Sequence, residues 1–185
     1  MRTSIIFLFV FCISTILWGQ DEQVVLQNEP IGFETDGFYI KKVIDERENK
    51  ENIGFVQKGV FKKTKVDANF KDGLEESIFN YLRENLGQDA GGVPIVIGIT
   101  ELNISESSSL PVAGKAEVKM EFYREKDGSL GKLYASEASI EKPAVNVSKT
   151  HEERIREVIV SCIENFNHSD WEEINPMYIK EERDN

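Results

Sequence analysis

The sequence predicts an α+β fold: a two-layer sandwich in which a mixed, mostly antiparallel sheet of about four strands carries two helices on one face. Three observations lead there. Thr150–Phe166 (THEERIREVIVSCIENF) places Ile155, Val158, Ile159, Cys162, Ile163 and Phe166 at i, i+3, i+4, i+7, i+8 and i+11. That is a single stripe on a 3.6-residue helix, and it needs a flat apolar surface to cover. The runs Phe38–Asp45, Val93–Ser105 and Ala113–Arg124 are strand-like and supply that surface. The order is strand, hairpin, helix, strand, strand, strand, helix. It makes the first strand, first helix and second strand one right-handed crossover and leaves the later strands antiparallel.

The chain has 185 residues, which fits one domain, and a net charge of -11. A general nucleic-acid binder would show a basic face, so no nucleic-acid partner is expected. Arg2 is a short positive region, Ile5 to Leu17 an apolar run, and Asp21-Glu22 a switch to acid. The run falls short of the about 20 residues a membrane span takes and matches a signal-peptide core. Residues 1–19 therefore read as a signal peptide cut after Gly19, with the Gln20|Asp21 bond as the alternative. Leu17 at the -3 position is larger than the usual small residue, and an uncleaved anchor is the competing reading. Cys12 is not a lipidation site. Phe9-Val10-Phe11 precede it where small residues are required, and Ile13 to Leu17 continue the apolar run. Cys162 is then the one cysteine of the mature chain, so no internal disulfide is expected and its thiol reads as a buried small hydrophobe. The mature chain is expected to be exported, periplasmic or secreted, with no stable membrane span.

Residues 20–37 form an N-terminal arm. Its Val24-Val25-Leu26 is a short strand or a packed segment ended by Pro30, and Asp36-Gly37 is a turn. The α+β domain covers residues 38–168. It opens with the strand Phe38–Asp45, and the charged run Glu46–Glu51 follows as a solvated loop. Asn52–Lys65 reads as a small hairpin carrying Lys58, Lys62, Lys63 and Lys65, the one basic cluster of an acidic chain. Asp72–Leu86 is the first helix, with Leu74, Ile78, Leu82 and Leu86 at i+4 and Gly87 as its C′ glycine.

Val93–Ser105 is apolar on both faces at its start, so it is central. Its phase changes at Leu102 and Ile104, which predicts a bulge or emergence of the strand from its cover. Glu106–Pro111 is a serine-rich loop. Ala113–Arg124 alternates, with Ala116, Val118, Met120 and Phe122 inward. Asp127-Gly128 is a hairpin turn, and Leu130–Glu141 returns with Leu133, Ala135 and Ile140 inward until Pro143. The last helix begins after Ser148, with Thr150 and Glu153 as a capping box. Residues 169–185 are an acidic tail whose start packs and whose end frays.

The chain lacks the glycine-rich phosphate loops and the Gly-x-Ser-x-Gly elbow. His151 and His168 lie about 25 Å apart along one helix and cannot share a metal. No Cys-x-x-Cys or His-x-x-x-His occurs, and Asp67-x-Asn69 lacks the later oxygen ligands of a calcium loop. No metal or cofactor is therefore expected. Three Asn-x-Ser triplets, at Asn103, Asn146 and Asn167, matter only in a host that glycosylates exported proteins.

The main polar constellation is Asp45-Glu46-Arg47, at the C-terminal end of a strand entering a crossover, where α/β ligands tend to bind. Asp45 and Arg47 either hold a polar ligand or close the loop as a local ion pair. Lys58, Lys62 and Lys63 either meet an anionic partner or headgroups, or blunt an exposed sheet edge.

With Val43-Ile44-Asp45-Glu46-Arg47 followed by Ile53-Gly54, then a helix with Leu at i+4 spacing and the Ile95–Ile99 strand, the chain resembles a group of small bacterial envelope proteins. These are the YajG-type lipoproteins and the auxiliary lipoproteins of envelope ABC transporters. The resemblance runs from Phe38 to Phe166. It implies a βαββα-like two-layer fold and a non-enzymatic accessory or assembly role with an envelope protein as partner. The chain departs from the group in lacking a lipobox cysteine, which implies a soluble periplasmic or secreted relative. Two functions fit these features: an exported accessory or binding module, and a small secreted hydrolase pairing Asp45 with Glu101 or Glu137. Acid–base work by such a pair requires one carboxyl raised by burial.

Overall fold

The computed structural model describes residues 21–58, 64–107, 112–143 and 150–180. The elements are β1 (Glu22–Val24), β2 (Phe38–Asp45), β3 (Phe55–Lys58), β4 (Thr64–Phe70), α1 (Leu74–Asn85), β5 (Val93–Glu106), β6 (Ala113–Lys126), β7 (Ser129–Pro143), α2 (His151–Asn167), a 3-10 turn (Trp171–Glu173) and β8 (Tyr178–Lys180). The main sheet runs β2-β5-β6-β7-β8, with β2 parallel to β5 and the other pairs antiparallel. α1 lies on β2, and α2 lies on β6 and β7. Arg156 of α2 lies close enough to Tyr81 of α1 for its charge to act on the hydroxyl, so the helices are neighbours on one sheet face. The fold is an α+β sandwich, as its apolar periodicities predict.

The apolar stripe of α2 is wholly buried and meets the inward row Ala116, Val118, Met120 and Phe122 of β6. Phe166 stacks on Phe122 at a ring separation of 4.3 Å and meets Phe38 edge-on at 4.9 Å. The opposite sheet face is wet. There Lys119 pairs with Glu101 at 2.7 Å and Lys132 with Glu121 at 2.7 Å. The predicted bulge in β5 is present, as the β5–β6 register shifts between Ile99 and Glu101. The Asp127-Gly128 turn has φ of 52° and 73°, the left-handed pair of a type I′ hairpin.

Several features differ from the sequence reading. A second sheet exists, β1-β4-β3, which turns Val24, Val56, Ala68 and Phe70 into the core. The hairpin is therefore longer than 52–65: its second strand runs to Phe70, and β1 pairs with it in parallel. Residues 21–37 hold the short strand β1 and a packed segment, the two forms the sequence allowed there. Ile31 N donates to Asn85 O at 2.9 Å, Asp36 N to Asn167 Oδ1 at 2.9 Å, and Arg156 meets Glu29 at 2.7 Å. The segment straps the two helices together.

Ala135 is exposed, because a register shift between Phe122 and Tyr123 bulges β7 at Leu133. Leu133 is buried, but after the bulge Tyr134, Ala138 and Ile140 face the core. Gly87 is not a left-handed C′ residue. The helix ends on the extended Leu86, and Gly87 instead lies against Glu34, whose Cγ would sit 2.7 Å from a Cβ there. α1 starts after Gly73, at φ 82°, rather than at Asp72. Thr150 is the N-cap of α2 but makes no side-chain cap bond, since its φ and ψ of -109° and 7° are not the extended values of a capping box.

The start of the segment 169–185 packs, as expected. Trp171 is buried against Phe166, and β8 pairs with Ser129–Gly131 of β7. Residues 1–20, where the signal peptide is expected, residues 59–63 with Lys62 and Lys63, residues 108–111, residues 144–149 with Ser148, and residues 181–185 lie outside the described residues. Among the described residues, no helix is long and apolar enough to cross a membrane.

Candidate functional site

The Asp45–Arg47 constellation forms where β2 ends. Arg47 Nε and Nη2 donate to Asp45 Oδ1 and Oδ2, each at 2.8 Å, a two-pronged pair. Its Nη1 donates to Asn52 O at 2.8 Å, so one guanidinium closes both ends of the loop 46–52. Only 6% of the Arg47 side chain and 12% of that of Asp45 is exposed. Partial burial pushes the Asp45 carboxyl up, but the hydrogen bonds and charge of Arg47 outweigh it and hold the group below its usual range. Of the two sequence readings, the loop-closing ion pair is the arrangement observed.

Beyond the loop, Asn52 Oδ1 accepts from Gly54 N at 3.0 Å, and the chain then crosses the edge of β5. Ile104 N donates to Ile53 O at 2.8 Å. Gly54 has φ +115°, and a Cβ on it would lie 2.0 Å from Ile104 O. The contact requires glycine on both counts. Glu46 lies over Gly98, where a Cβ would meet its Oε2 at 2.0 Å, and it accepts from Tyr123 OH at 2.8 Å.

Between loop 46–52 and the wet face of β5 and β6 lies an open cleft of about 570 Å³. Its walls include Glu46, Asn49, Asn52, Thr100, Glu101 and Lys119. These are hydrogen-bonding groups on a shallow floor. The arrangement can hold a polar ligand by its edges.

Lys58 is apart from this cleft and pairs with Glu22 at 2.6 Å. Lys65 sits over the Phe55 ring at 4.8 Å. Lys62 and Lys63 lie outside the described residues. The three carboxylates of the hydrolase reading do not form an acid–base pair. Asp45 is committed to Arg47 and held low, the opposite of what a general acid needs. Glu101 is half exposed and paired with Lys119, which stands between it and Glu137 in the cross-strand row Glu101–Lys119–Glu137.

The residue-level reading missed a second polar cluster. His151 Nε2 lies 3.3 Å from Glu106 Oε1, with 1% and 0% of the two side chains exposed. Arg154, also buried, donates to Lys142 O at 3.1 Å. The signal was present: His151 and Arg154 stand four residues before Ile155 and Val158 and so continue the apolar stripe by spacing. Their polarity hid them from a search for apolar positions. Among the described residues, no group of three or more His, Cys, Asp or Glu side chains is arranged to hold a metal ion. No protein-family model, curated protein or solved structure matches this chain.

Proposed function

We propose that this protein is an exported, non-enzymatic accessory or binding module of the bacterial cell envelope, acting in the periplasm or outside the cell on an envelope protein partner. The observation that carries the binding reading is the use of Arg47: its guanidinium is bound by Asp45 and Asn52, so the polar centre at the end of β2 shapes a cleft rather than offering a reactive group. The leader-like start, Arg2 with Ile5–Leu17 and then Asp21-Glu22, supports export. The likeness of the Asp45–Arg47 and Ile53-Gly54 segments to small envelope lipoproteins supports the accessory role. Lys58, Lys62 and Lys63 are the proposed partner contact.

The test is capture of the C-terminally tagged full-length chain from gently crosslinked cells, with N-terminal sequencing of what is recovered. The expected result is a chain beginning at Gln20 or Asp21 with a stoichiometric envelope protein. Charge reversal of Lys62 and Lys63 is expected to reduce recovery of that protein. A chain retaining Met1 in the cytosol would end the export reading. The bare protein in the soluble fraction would end the accessory reading.

A further inference from the structure

We draw no further inference here: the strongest candidate, the open polar cleft between loop 46–52 and the wet face of β5 and β6, belongs to the site already described, and nothing in the structure shows what fills it.

Discussion

At Arg47 one side chain makes three hydrogen bonds that join Asp45 to Asn52, and its partner Asp45 is nearly out of water. Truncating one member of such a pair leaves the other charge buried without compensation, which costs about 3–5 kcal/mol. Arg47→Ala is expected to fall in that range by urea denaturation, and Arg47→Lys to recover only part, because an ammonium cannot match both carboxylate oxygens. The Asp45 carboxyl is lowered in the fold, so the unfolded chain takes up its proton first on acidification. The contribution is complete above the unfolded value near 4 and is lost as pH falls through the folded one. Asp45→Asn is therefore expected to flatten the acid limb of the stability profile. An unchanged limb would place the acid sensitivity elsewhere. Gly54 shows the same economy at a single residue: both its φ and its distance from Ile104 O exclude a side chain.

α2 is the element that closes the core. Its Phe166 is fully buried among Phe38, Phe122, Tyr134 and Trp171, which come from three strands and the turn after the helix. Phe166→Ala removes the ring where four aromatic neighbours cannot all collapse inward, and the expected cost is about 3–5 kcal/mol. Loss of the near-ultraviolet dichroism of Trp171 in parallel with the urea transition would show that the turn unfolds with the helix. A loss well under that range would mean the ring site refills. Cys162 on the same stripe is pushed up to about 11 by burial, so its thiol stays protonated and unreactive near neutral pH. The sequence reading of α2 succeeded because its apolar period is unbroken. The reading of β7 failed at Ala135 because one bulged residue reverses every later side chain, and a bulge is set by the pairing with β6 rather than by β7 alone.

Over the whole molecule, the His151–Glu106–Arg154 cluster ties α2 to the end of β5 and, through Arg154, to the end of β7. The groups facing His151 are Glu106 from β5, Arg154 from its own helix and Glu22 from β1. Burial lowers its pKa more than Glu106 raises it, and Arg154 lowers it further. The imidazole is thus neutral in the fold, and the unfolded chain gains its proton first as pH falls below about 6.5. Global stability is expected to decline from pH 7 towards 5, and His151→Gln to remove part of that decline. Urea midpoints at both pH values measure it. An identical decline in the variant would clear His151 of the effect. The strap of residues 21–36 acts at the same scale, bridging the two helices through Ile31–Asn85 on α1 and through Glu29–Arg156 and Asp36–Asn167 on α2.

What the sequence determined by itself is whatever rests on local period and local chemistry. The stripe of α2, the alternation of β6, the Asp127-Gly128 turn and the α+β class each follow from a few consecutive residues, because helix and strand geometry repeat every 3.6 and 2 residues. The Asp45–Arg47 pair was legible for the same reason, being two residues apart on one loop. Only the tertiary structure decided the second sheet, the strap, the bulge at Leu133, the packing of Trp171 and the meeting of Glu106 with His151. Each joins residues from different parts of the chain, and three-dimensional packing alone sets which strand pairs with which and which polar groups leave water together.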